Sequence, residues 1–122
     1  MLQSDLPSLD FIAGLIDGEG AFMWTKQNGT ETPVFQLKMH AREHALFDMI
    51  KVKLGLKENI HEYTHQGRHY VLLLIRKRAT IENTIIPTFD GRLFGYKKIL
   101  FEEWKKKFYE KKLEFMYKYH AK

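Results

Sequence analysis

No cysteine occurs among the 122 residues. That excludes a disulfide framework and any metal site built on thiolates. No apolar run approaches the ~20 residues that a membrane-spanning helix needs, so no membrane partner is expected. The sequence also lacks a Gly-rich phosphate loop, a nucleophile elbow and an HExxH pair. Internal repeats and low-complexity segments are absent as well. The first 21 residues contain no base at all. MLQSDLPSLD therefore lacks the early basic stretch of a signal or transit peptide, and an intracellular protein is expected. A bacterial cytoplasm and an organelle would leave the same signature.

What is there fits one domain, residues 1–122, with enough length for a real core. Apolar residues make up 44% and aromatics 14%, which argues against disorder. The formal net charge is +5, and it is unevenly placed. Asp5, Asp10, Asp17 and Glu19 make the first 21 residues acidic. Residues 22–78 hold ten bases and five acids, and residues 97–122 hold nine lysines and four glutamates. Two basic blocks suggest nucleic acid without establishing it.

Patterning predicts the elements. Residues 6–18 read as a helix, with Asp5 as cap, Pro7 in the first turn and Gly20 as the stop. Residues 21–28 and 33–40 read as two strands around Gly29-Thr30. In the second strand Val34, Gln36, Lys38 and His40 alternate with Phe35, Leu37 and Met39. A helix is predicted over 43–54, with Gly55 as its C-cap. Strands follow over 58–64 and 69–76, around Gln66-Gly67. A short helix over 79–86 should end at Pro87. A long one over 95–118 carries a stripe of Phe101, Trp104, Phe108, Phe115 and Tyr119. Two hairpins can build one four-stranded antiparallel sheet, with helices on one face and the other left open. An open face carrying Gln36, Lys38 and His40 would suit a DNA groove.

Residues 12–20 read Ile-Ala-Gly-Leu-Ile-Asp-Gly-Glu-Gly. This resembles the LAGLIDADG motif of homing endonucleases, with Ile, Gly and Glu at its first, seventh and eighth positions. The element order resembles that family's α+β fold, αββαββα, with a saddle-shaped sheet. Gly14 and Gly18 are four apart and share one helix face. Each costs roughly 1 kcal/mol inside a helix, so a close contact is expected there. The contact could be a strand of the same chain or a second helix. With one motif per chain, the resemblance implies the second helix comes from another copy, in a two-fold homodimer. Ala13, Gly14, Asp17 and Gly18 are then expected at or near that interface, with Asp17 also supporting the helix end.

Glu19 stands at a helix C-terminus, where the macrodipole disfavours an anion. Two such carboxylates brought together would recruit a cation. Hard divalent ions take carboxylate and carbonyl oxygens, which adds the Gly18 carbonyl as a ligand. The resemblance implies Mg2+ as the ion, with Mn2+ or Ca2+ able to occupy the same site. It further implies metal-dependent hydrolysis of both strands of a long, pseudo-palindromic duplex, across the minor groove, by an intron-encoded enzyme. It places a catalytic lysine near the start of the last helix, where Lys97 and Lys98 stand. A further polar group usual at the end of the second strand is missing: Met39 occupies that register, beside His40 and Arg42. The same fold serves RNA maturases and non-cleaving DNA-binding regulators, so intron RNA is an alternative partner.

Strand alternation nominates Thr25, Gln27, Thr32, Gln36, Lys38, His61, Tyr63, Arg68 and His69 for double-stranded DNA. Gln and Arg can pair bidentately with adenine and guanine edges. Lys26, Arg76, Lys77, Arg78 and the lysines of the last helix are assigned to phosphates, and His40 to either role. His61, His65 and His69 are spaced by four, but in a strand and turn that spacing does not align them for zinc.

Overall fold

The computed structural model describes residues 5–120, with side chains described through Tyr117. The order is α1 (Leu9–Glu19), β1 (Gly20–Gln27), β2 (Thr30–His40), α2 (His44–Leu54), β3 (Ile60–His65) and β4 (Arg68–Ile75). A continuous helical run follows: α3 (Arg78–Thr80), a π-helical turn (Ile81–Ile85) and α4 (Ile86–Phe89). The long α5 (Tyr96–His120) closes the described chain.

The four strands form one antiparallel sheet in the order β1-β2-β4-β3. Both hairpins turn on two residues with positive φ, Asn28-Gly29 and Gln66-Gly67. That twist matches the flanking strands. The first turn therefore sits one residue earlier than Gly29-Thr30.

Register fixes the faces. Phe35 lies opposite Ile75 and Leu37 opposite Leu73. These four, with Phe22 and Val71, point into the buried core beneath the helices. α1 adds Ile12, Ala13 and Ile16; α5 adds Phe101, Trp104 and Phe108. Burying each such side chain contributes about 1.5–3 kcal/mol before entropy is counted. The α5 stripe stops there: Phe115 is 62% exposed, and the side chain of Tyr119 lies outside those described.

Two helix ends differ from expectation. Ser8, not Asp5, caps α1, its hydroxyl accepting from the Phe11 amide at 3.0 Å. Asp5 is too far outside the first turn to reach those amides. The short helix also runs through Pro87 to Phe89 instead of ending there. The chain widens into a π-turn just before the proline, with the Ile86 amide donating to the Ile81 carbonyl. That widening makes room for a ring that would clash in a tight α-turn.

The packing also redistributes the charge. Lys105 pairs with Asp90 at 2.9 Å, and Lys112 with Glu82. Lys107 and Lys111 both hold Glu31, and their hydrogen bonds, Lys107 first, keep its carboxyl below the ordinary 4.5. Much of the basic block on α5 is thus neutralised within the chain. Among the described residues, Lys38, Arg68, Arg76 and Lys77 make no ion pair. Lys38 and Arg68 lie on the sheet and Arg76 and Lys77 just beyond β4, so positive charge there is left uncompensated.

Candidate active site

α1 divides into two sides. Ile12, Ala13 and Ile16 are buried in the core, while Phe11, Gly14, Gly18 and Glu19 are exposed. Phe11, Gly14, Leu15 and Gly18 follow helical spacing along one outer stripe. A Cβ built on Gly14 or Gly18 meets nothing within 4 Å. Packing against this chain's own strands therefore does not demand those glycines. Ala13, expected on the outer stripe, is turned inward and only 2% exposed.

Asp17 is likewise turned toward its own chain. Its carboxylate accepts from the Phe94 amide at 3.0 Å and the Gly95 amide at 3.2 Å. Those amides immediately precede α5, whose first turn has free donors and a positive dipole end. Asp17 thus tethers the segment that leads into α5 and locks the end of α1 to its start. Asp17→Ala should cost about 1–3 kcal/mol, the usual worth of hydrogen bonds to a charged group. Thermal unfolding of the variant measures it, and an unchanged midpoint would refute the tethering role.

That lock places Lys97. Its ammonium donates to the carbonyl of Gly20, the residue after Glu19. Lys98 is exposed, and its side chain makes no hydrogen bond or ion pair. Of the two lysines, the fold brings Lys97 to the end of α1. Glu19 itself is exposed, with no side-chain hydrogen bond or ion pair. The C-cap is Gly20, in extended backbone, so the chain passes directly from α1 into β1. A Cβ at Gly20 would come within 2.6 Å of Ile16. Here glycine is needed for close packing. The carboxylate therefore stands at the junction between helix and sheet.

The open sheet face starts at that junction. Odd residues of β1 and even residues of β2 point away from the helices, as the alternation from Phe22 and Phe35 requires. Thr25, Gln27, Thr32, Gln36, Lys38 and His40 therefore share this face. On β3 and β4 so do His61, Tyr63 and Arg68. Two nominated residues do not. Lys26 lies on the helix side, opposite Glu31. His69 lies there too, 3.4 Å from Glu62, which also pairs with His44 at the start of α2. His40 is partly occupied, its Nδ1 accepting from the Arg42 amide at 3.0 Å.

The same register adds residues that sequence reasoning passed over. His65 and Tyr70 lie on the open face. The rings of Tyr63 and Tyr70 are 5.5 Å apart, and the Lys38 ammonium sits 4.9 Å from the Tyr70 centroid. Such a contact holds a flexible cation in place without a carboxylate. Leu72 and Leu74 complete an apolar floor between the polar side chains. Alternation outward from Arg68 would have found Tyr70, Leu72 and Leu74. The run Tyr-Val-Leu-Leu-Leu-Ile hides it, because both of its faces are apolar.

The family model for the LAGLIDADG endonuclease matches residues 12–108. No curated protein matches the sequence. Among solved structures, the homing endonuclease I-GzeII in complex with its DNA target superposes with a TM-score of 0.80 at 23% identity. The meganuclease I-SmaMI, bound to uncleavable DNA, gives 0.78 at 22%. In both cases the match covers 92% of this chain and 39% of the other. The chain thus spans about two fifths of the length of those relatives. The homing endonuclease I-TnaI gives 0.75 at 18%, covering 91% of this chain and 78% of that one.

Proposed function

The chain belongs to the LAGLIDADG endonuclease family, and from that premise we propose that it is a site-specific homing endonuclease. It acts as a homodimer and makes a double-strand break in a long pseudo-palindromic DNA site. The observation that carries this is the pairing of an exposed Glu19 with an unobstructed glycine stripe on the same helix. A helix-end carboxylate is unremarkable alone. Beside a surface that accepts another backbone closely, it is half of a two-carboxylate centre.

The donor chemistry fits a hard divalent cation. Glu19 offers a carboxylate, and the last turn of α1 offers carbonyls without helical partners, Gly18 among them. Among the described residues, no group of three His, Asp or Glu side chains gathers on one chain to hold a metal. Two copies of α1 would supply what one lacks. A bound Mg2+ would stabilise phosphoryl charge and make its water a stronger nucleophile.

The chain's own residues do the rest. Lys97 holds a positive charge beside Glu19 without neutralising it, because its partner is a carbonyl. There it is available to a phosphate oxygen or a water. Gln36, Arg68 and Lys38 offer donors to base edges from the open face, and the duplex would lie across that face.

The test is cleavage of a pooled-sequence plasmid library in Mg2+. Breaks should map to one sequence and appear on both strands. Salt-sensitive binding to duplex or RNA with no breaks would instead identify a non-cleaving regulator or maturase. The same basic face serves either activity.

A further inference from the structure

A pocket of about 680 Å³ opens at the corner of the sheet where β3 begins and β4 ends. Its walls come from the loop after α2 and from the helical run after β4. Lys57, Arg76 and Lys77 line it, with Glu58 as the single acid. None of the three cations makes an ion pair or hydrogen bond that would neutralise it. Unpaired like charges around one concavity repel each other and raise the local potential for an anion. On α5, by contrast, Lys105, Lys107, Lys111 and Lys112 are each paired with a carboxylate of this chain.

Two further observations narrow the ligand. Thr80 and Asn83 bring hydrogen-bonding groups to the lining, Asn83 from the π-turn; such turns recur at functional sites. The pocket is also continuous with the open face through Leu74 and His61, which share that face. The pocket therefore borders the same open face.

The geometry points to this pocket as an anchor for a backbone phosphate of duplex nucleic acid. The phosphate lies beyond the bases that the sheet would read, and Arg76 and Lys77 are its principal ligands. This rests on the proposed DNA-binding function and adds a sequence-independent contact to it. Phosphate contacts position a duplex, while base contacts select it.

Two measurements decide it. The first is the salt dependence of binding to a random-sequence duplex. The slope of log affinity against log salt should fall by about 1 per protomer, hence about 2 for the homodimer, in Arg76→Gln and in Lys77→Gln. Lys106→Gln makes the same change in charge on α5 and should leave the slope alone. The second is titration of wild-type protein with inorganic phosphate, followed by amide shifts. Lys77, Thr80 and Asn83 should shift saturably, and Arg76→Gln should abolish the response. An unchanged slope with duplex binding intact overturns the anchor and leaves the endonuclease reading standing. Saturable phosphate binding without duplex binding overturns the duplex as occupant, and the DNA reading with it. Folding of each variant is checked by its thermal midpoint, which loss of an exposed, unpaired cation should not lower.

Discussion

Glu19→Gln is expected to abolish strand cleavage while duplex affinity stays within a factor of a few. The substitution keeps size and hydrogen-bonding capacity and removes only the charge. Glu19 has no hydrogen bond or ion pair within its chain, so folding should not notice. A hard cation would, because a neutral amide is a far poorer ligand than a carboxylate. Loss of one charge-stabilising group at a reacting centre costs about 10²–10³ in rate. A two-fold centre loses both carboxylates at once, so cleavage should fall by at least that much. The measurement is single-turnover cleavage of the mapped site in Mg2+, alongside a binding titration in Ca2+. Cleavage at the wild-type rate would remove Glu19 from the chemistry. Loss of both cleavage and binding would mean that Glu19 shapes the surface and does not act on phosphate. Lys97→Met gives an independent check, since Lys97 is held on the Gly20 carbonyl and not on Glu19. Its effect should likewise fall on rate and not on affinity.

The two halves of this molecule were unequally legible. Local rules carried the elements: the alternation Val34 to His40, the helical spacing of Phe101, Trp104 and Phe108, and Gly55, which ends α2 with a φ of +68°. Each is decided by residues within one or two turns of chain. The motif around Gly14 to Glu19 was legible for the same reason. The site's supports were not. Asp17 finds Phe94 and Gly95 across 77 and 78 positions, and Lys97 finds Gly20 across 77. No periodicity reports such a pairing. His69 shows how a one-residue error acts in a strand. With β4 starting at Arg68, adjacent Arg68 and His69 must face opposite ways, and only one can share a face with Tyr63. Charge was the least legible of all. Two basic blocks look alike in the sequence, yet four lysines of the second, Lys105, Lys107, Lys111 and Lys112, are held by Glu31, Glu82 and Asp90, carboxylates that meet them only after folding.

Gly14→Ala and Gly18→Ala should move two measurements in opposite directions. Both positions lie inside α1, and an added Cβ meets nothing of this chain within 4 Å. Alanine there has no clash to overcome and restricts the unfolded chain. The isolated protomer should gain about 0.5–1 kcal/mol per site, seen as a higher thermal midpoint at low concentration. Association should weaken, because each methyl holds the facing backbone away at a two-fold contact and is met by its own symmetry mate. Phe11 and Phe94, 51% and 87% exposed, stand beside this stripe as apolar surface that only a partner would cover. Sedimentation with and without duplex reads the association, and cleavage should fall in step with it. A single carboxylate centre has no mate in a lone protomer. If both alanines stabilise the chain and leave a tight dimer intact, α1 is not the interface, and the two-carboxylate centre loses its geometric basis. Destabilisation of the isolated protomer would instead mean that the glycines serve the chain's own packing, the alternative the bare sequence allowed. The open space around both Cβ positions argues against it. Opposite signs on the two readouts thus separate a surface kept bare for a partner from a helix that merely tolerates glycine.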